Sequence, residues 1–359
     1  MHLKQEFSTV RQSRKLDHLT FSRELGDGPG YGCFSDLTLI HNCLPELSWQ
    51  EIILDTSIAG IPLRHPVIIN AITGGAADVT DVNYRLAELA KLTGAAMAVG
   101  SQYAALENRE VWASYEIVRR VHEDGVLMAN LGAHATVAQA RIAVEMIGAN
   151  ALQIHLNAAQ ELFMTEGDRD FRGYLDNISA IAAKIGVPVI VKEVGCGIAR
   201  EAALQLADAG VHCIDVGGRG GTNFVAIEAT RSQQLLPGEM LAWGIPTAVS
   251  ALETASVLPP NVDIIVSGGI RTPLDAVKAL VSGGRAVAMA GPFLRLLHDR
   301  DMPAGAAWLE AFLLDMRRLM LLVGAANIVD LHRVPFIVSG YAREWLTARN
   351  IDTKQYANR

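Results

Sequence analysis

The chain has 359 residues, half of them hydrophobic and 19% charged, with a formal net charge of −7. That length and apolar content suit one large core, and a single barrel with extensions needs about 250 residues for its centre. The acidic balance argues against a nucleic-acid or anionic-membrane partner, and apolar runs of about 6–9 residues fall far short of the roughly 20 that span a bilayer.

Residues 1–65 are read as an N-terminal extension. The first stretch, MHLKQEFSTVRQSRKLDHL, is polar and has no apolar h-region, so no signal peptide is expected and the protein is expected to stay in the cytoplasm. Arg14, Lys15 and His18 stand together in SRKLDHL (13–19), either as a surface patch or as a lid over an anionic substrate. Turn chemistry in GDGPGYG (26–32) follows, and the extension is expected to pack across one barrel end.

From residue 66 two textures alternate. Eight short apolar runs end in polar or glycine residues: 66–73, 95–102, 126–132, 151–157, 188–194, 211–218, 262–269 and 286–291. Runs apolar at nearly every position suit parallel strands buried on both faces. Stretches with helical periodicity lie between them at 83–94, 135–149, 174–186, 199–210 and 273–284, several closing on glycine. Eight such units predict an α/β fold, a single (β/α)₈ TIM barrel over about 66–300. The connection at 219–261 is long, as insertions on the active-site face often are. The segment from about 301 to 359 is expected to be helical, amphipathic over 305–348. Its apolar part, 316–328, suits either a subunit interface or barrel packing. Cys33, Cys43, Cys196 and Cys213 form no CxxC pair and are read as reduced thiols.

Barrel active sites lie at the C-terminal ends of the strands. The residues there are Thr73, Ser101 with Gln102, Asn130, His155 with Asn157, Lys192 with Glu193, and Gly268 with Gly269. Three glycine-rich segments, GGRGGTN (217–223), SGGIR (267–271) and AGP (290–292), follow strands six, seven and eight. They let the backbone approach a ligand and aim N–H groups at it, the usual barrel phosphate site. Thr222 adds a hydroxyl and Arg271 a cation. Lys192 ends an apolar strand, where a lysine is costly unless paired or functional. It could form a Schiff base or offset negative charge on a flavin, and AITGG (71–75) with Asn130 favours the flavin. In QIHLNAAQE (153–161), His155 and Asn157 share one strand face. With Gln160 and Glu161 they could grip a diphosphate directly and through Mg²⁺, for which Glu161 is a hard oxygen ligand. The same segment could be a capped helix start.

In order along the chain, RKLDHL, NAITGG, VGSQ, NLG, QIHLNAAQE, VKEVG, GGRGGTN, SGGIR and AG resemble the type 2, flavin-dependent isopentenyl-diphosphate isomerase family. The resemblance runs from residue 14 to residue 291. It implies interconversion of isopentenyl and dimethylallyl diphosphate in isoprenoid synthesis, with FMN, Mg²⁺ and a reductant such as NADPH. By the same resemblance, Arg14 and Lys15 hold the diphosphate with His18 nearby. Ala71, Ile72, Thr73, Ser101, Asn130 and Lys192 line the flavin. His155, Asn157 and Gln160 face the substrate together with Ser101, and Glu161 binds Mg²⁺. Thr222, Gly269, Ile270, Arg271, Ala290 and Gly291 hold the FMN phosphate end. Gln160, His155 and Lys192 are the expected catalytic residues, with reduced FMN exchanging protons with the alkene through N5. The resemblance also implies a homo-oligomer, a tetramer or octamer.

Two positions depart from the family pattern. Tyr103 stands where a basic residue is common, and Gly217 where a serine is common. Other flavin readings fit less well. A 2-hydroxy-acid oxidoreductase needs a basic histidine and an arginine pair, whereas the neighbours of His155 suit a metal–diphosphate. An IMP-dehydrogenase-like enzyme needs a cysteine in the loop after strand six, which has none. A flavin carrier without catalysis would not need so many polar groups beyond the flavin.

Overall fold

The computed structural model describes residues 17–22, 24–26, 31–76, 79–299 and 301–359. Arg14 and Lys15 lie outside these residues.

The eight apolar runs form eight parallel strands: β1 Val67–Ile69, β2 Ala96–Ala98, β3 Leu127–Gly132, β4 Ala151–Leu156, β5 Val189–Glu193, β6 Cys213–Asp215, β7 Asp263–Ser267 and β8 Ala286–Met289. Each pairs with its sequence neighbours, and β8 pairs with β1 to close the barrel. The ladders are shorter than the apolar runs because strand ends splay into the active-site loops.

Side-chain alternation explains why nearly every strand residue is apolar. One set (Val67, Ile69, Met97, Leu127, Leu152, Ile154 and their counterparts) points outward into the main core shared with the helices. The alternate set (Ile68, Ala96, Met128, Ile190, Cys213, Ile265 and others) forms a separate cluster filling the barrel. Many of those inward residues are alanines, so the interior is narrow and packed.

The surrounding helices are α1 Thr80–Thr93, α2 Ala113–Val121, α3 Val137–Ile147, α4 Tyr174–Ala182, α5 Arg200–Asp208, α6 Thr247–Ala255, α7 Pro273–Val281 and α8 Met302–Leu322. The last packs between α7 and α1, so the outer ring continues past residue 300. Within 219–261 lie two additional short helices, Phe224–Arg231 and Gly238–Leu241, followed by α6.

The N-terminal extension serves both ends of the barrel rather than one. The hairpin Thr56–Ile58/Ile61–Leu63 caps the N-terminal end, where Ile58 and Leu63 join the interior cluster. His18 instead stands at the C-terminal end among the glycine loops. The C-terminal segment is not wholly helical. Phe336–Val338 is a strand pairing antiparallel with Leu37–Leu39, a long-range pairing that local periodicity cannot signal. All four cysteines are free thiols. No helix among the described residues is long and apolar enough to cross a membrane.

Candidate active site

Above the apolar layer the inward positions turn polar. Asn70, Asn130, Gln153, Lys192, Asp215 and Ser267 occupy the strand ends and are all buried. Such groups are tolerated only when hydrogen-bonded, and five of the six are joined through one another. Lys192 differs: its Nζ donates to the Glu193 carbonyl at 2.8 Å.

Two cavities open over this layer and share His18, Ala71, Ile72, Val194 and Phe224 as a common wall. The first is walled by the glycine segments. Thr222, Gly269, Ile270, Ala290 and Gly291 all line it, and Gly291 opens the helix Gly291–Asp299. The loops after β6 and β7 touch backbone to backbone: a Cβ on Gly221 would stand 2.7 Å from the Gly269 nitrogen. Gly268 and Gly269 have φ of +111° and +73°, which side chains rarely adopt. Arg271 does not line the cavity but ties the loops, donating to the Gly220 carbonyl at 2.7 Å. Gly217 has φ +47°, and a Cβ there would collide with the Glu193 carbonyl. This backbone therefore has no room for the serine that the family resemblance led one to expect there.

The second cavity is lined by Thr73, Ser101, Asn130, His155, Asn157, Gln160 and Glu161. The Thr73 hydroxyl is buried with no partner among the described residues, an acceptor-and-donor group suited to a flat polar heterocycle. With the glycine loops and a helix N-terminus next door, the residues present fit a flavin phosphate and ring. His155 Nδ1 meets Asn130 Oδ1 at 2.9 Å. Glu161 is fixed on both oxygens, by Asn157 Nδ2 at 2.8 Å and the Asp168 N–H at 2.9 Å. No three His, Cys, Asp or Glu among the described residues are grouped to hold a metal. Glu161 would therefore offer a single carboxylate, a mode Mg²⁺ accepts when phosphate oxygens and water complete its shell. Tyr103 also lines this cavity and packs edge-on against His134, ring centroids 4.7 Å apart.

Sequence reading missed one group and gave no role to a second that it had placed at a strand end. Glu228, on the short helix Phe224–Arg231, is buried and accepts from His18 Nε2 at 2.7 Å, Arg231 at 2.9 Å and Gln160 Nε2 at 3.4 Å. It joins two predicted site residues that are far apart in sequence. Burial pushes its carboxyl up, but His18 and Arg231 outweigh this and hold it below the usual carboxylate range. A glutamate on the apolar face of FVAIEATR was the available signal. The second group, Glu193, lines the first cavity and takes N–H donors from Gly195, Cys196 and Gly197. Burial exceeds the effect of these donors and of Lys192, and raises it to about 7.

Comparison with known proteins places these features in context. The family model described as FMN-dependent dehydrogenase matches residues 128–337. An isopentenyl-diphosphate delta-isomerase of Symbiobacterium thermophilum is 48% identical over 98% of this chain and 99% of its own. One from Moorella thermoacetica is 46% identical over 94% of this chain and 97% of its own. Among solved structures, a lactate oxidase of Pediococcus acidilactici superposes with a TM-score of 0.69 at 19% identity, covering 90% of this chain and 91% of that one. A mandelate oxidase variant bearing an FMN adduct gives 0.65 at 17% identity, covering 89% and 96%. At such low identity these two structures speak for the fold alone.

Proposed function

The chain belongs to the isopentenyl-diphosphate delta-isomerase family, and from that premise we propose that it shifts the double bond between isopentenyl and dimethylallyl diphosphate with reduced FMN and Mg²⁺. The reaction adds one proton to the terminal alkene carbon and removes one from the carbon two positions away, with no net redox change. FMN, bound in reduced form, supplies the proton donor and acceptor for these carbons.

The observation that carries this reading is the pair of adjoining cavities, one walled by glycine loops and the other by His155, Asn157, Gln160 and Glu161. The glycine loops and Thr222 hold the flavin phosphate, and Arg271 braces those loops from behind. Thr73, Ser101 and Asn130 lie along the ring with Ala71 and Ile72. Lys192 is the buried cation of this region and offsets negative charge on the reduced ring. Arg14, Lys15 and His18 would grip the diphosphate, and Glu161 would hold the Mg²⁺, which would offset the negative charge of the diphosphate. Gln160 orients the alkene end, held in place by Glu228. NADPH serves only to reduce the flavin. Oligomerisation and a cytoplasmic location belong to the same reading.

The test is anaerobic turnover of isopentenyl diphosphate with FMN, NADPH and Mg²⁺ each omitted in turn. Product that needs all three, with NADPH consumed only to the extent of flavin reduction, supports the proposal. Turnover that persists without metal or with oxidised flavin removes the corresponding part.

A further inference from the structure

We propose that four buried side chains, Asp215, Asn70, Gln153 and Asn130, form a directional relay that fixes the tautomer of His155. The relay holds the ring proton on Nδ1 and makes Nε2 the nitrogen that carries the lone pair of the neutral ring. The proposal deepens the reading above, because His155 matters to turnover only if it faces the substrate.

The direction is dictated from the Asp215 end. A carboxylate only accepts hydrogen bonds, whereas an amide donates at nitrogen and accepts at oxygen. Asp215 is fully buried. Its Oδ1 accepts from Ser267 Oγ at 2.5 Å and from the Gly217 N–H at 3.3 Å. Its Oδ2 accepts from Asn70 Nδ2 at 3.0 Å. With its nitrogen committed there, Asn70 turns its oxygen the other way. The Ala71 backbone N–H, at 2.9 Å from that oxygen, pins the same orientation independently. Gln153 must therefore donate to Asn70 Oδ1, which its Nε2 does at 3.3 Å. Its Oε1 is then left to accept from Asn130 Nδ2 at 3.0 Å. That leaves Asn130 Oδ1 facing His155 Nδ1 at 2.9 Å. An acceptor there requires the ring nitrogen to carry a hydrogen.

Each link removes the choice at the next, so the acceptor-only group on β6 sets the proton position on β4. Asn70 and Asn130 also line the two cavities, whereas Gln153 and Asp215 line neither; toward His155 all four are positioning residues. In water-excluded surroundings a reversed amide would leave two donors or two acceptors face to face, which makes the orientation costly to undo. The consequence for chemistry is specific. Neutral His155 is an acceptor at Nε2. It donates through Nε2 only after gaining a proton.

Ring ¹⁵N chemical shifts and couplings of histidine-labelled holoprotein read the tautomer directly, with His155 assigned by His155→Gln. The wild type is expected to show the Nδ1–H form when neutral. Gln153→Met cuts the relay in the middle at nearly constant volume, beyond the Asn70 orientation that the Ala71 N–H pins. This variant, folded by circular dichroism, should move the ring toward Nε2–H. It should also lose roughly 10–100-fold in kcat/KM, the range seen when an orienting partner of a functional histidine is removed. A wild-type ring in the Nε2–H form, or a folded variant that keeps Nδ1–H, overturns the relay. A tautomer shift with full turnover keeps the relay and instead overturns the placement of His155 against the substrate.

Discussion

The two ends of the barrel are built from the same eight strands and obey opposite rules. At the N-terminal end the inward side chains are Ala96, Ala151, Cys213 and Ala286, closed over by Ile58 and Leu63 from the hairpin. At the C-terminal end, only a few residues further along each strand, they are Asn70, Asn130, Gln153, Asp215 and Ser267, buried and mutually hydrogen-bonded. The first end gains stability from apolar burial. The second accepts the desolvation of polar groups because their orientation does chemistry. Changes at the two ends should therefore separate activity from stability.

The largest effect is expected at the open end. Glu161→Gln should lower kcat/KM by roughly 10²–10³-fold, as when one preorganised partner of a transition state is lost. Calorimetric titration should show weakened Mg²⁺ binding in the presence of substrate, while the thermal midpoint stays near wild type. Wild-type turnover at all Mg²⁺ concentrations would remove Glu161 as the ligand. The counterpart at the closed end is Ile58→Ala. Ile58 is fully buried in the interior cluster, so its truncation should cost about 2–5 kcal/mol in urea unfolding while turnover per folded molecule is kept. Loss of turnover without loss of stability would break the separation of roles.

This division also explains what the sequence made legible. All eight strands were visible because inward and outward positions are both apolar, and the glycine segments marked where loops meet backbone to backbone, because nothing else fits there. The strand-end residues from Thr73 to Glu161 were visible as polar interruptions of apolar runs. The relay was harder to see. Asn70, Gln153 and Asp215 are ordinary polar residues in sequence, and only closure of the barrel brings β1, β4 and β6 together. Glu228 was hidden for the same reason, since its partners His18 and Gln160 come from distant segments. The pairing of Leu37–Leu39 with Phe336–Val338 joins strands of three residues across almost the whole chain, too short and too far apart for a periodicity signal.

The two ends also differ in how stability depends on pH. Glu193 at the open end is raised by burial from 4.5 to about 7. The native state thus holds a proton that the unfolded chain releases, and stability falls as pH rises from about 4.5 to about 7. At about 1.4 kcal/mol per tenfold change in acidity the drop is about 3 kcal/mol. His65 at the closed end has the opposite sign. It is caught between the Val67 N–H and the Thr93 carbonyl, and burial lowers it from 6.5 to about 4. Its contribution is fully present above about 6.5 and is lost as pH falls toward 4, by a similar amount. The two slopes nearly cancel between about 4.5 and 6.5, so the wild type should be almost flat there and fall off only slightly on either side. In chemical denaturation, Glu193→Gln should uncover the His65 slope, with stability rising by about 3 kcal/mol from about pH 4 to about 6.5. An unchanged profile would mean that Glu193 is not the group responsible.

The smallest expected effect concerns the position that departs from the family pattern. Tyr103 faces the second cavity beside His134, where the family resemblance leads one to expect a cation. A charged hydrogen bond to a diphosphate is worth about 1.5–3 kcal/mol. Immobilising a flexible arginine side chain on the ligand costs about 0.5–1.5 kcal/mol. The net gain is about 1 kcal/mol, so Tyr103→Arg should lower KM roughly fivefold with kcat little changed. An unchanged KM would mean that the diphosphate contact is already made by another group. His134 is the nearest candidate, and His134→Ala should then raise KM in the otherwise unaltered chain. A drop in kcat instead would tie this corner of the cavity to the reacting end of the substrate.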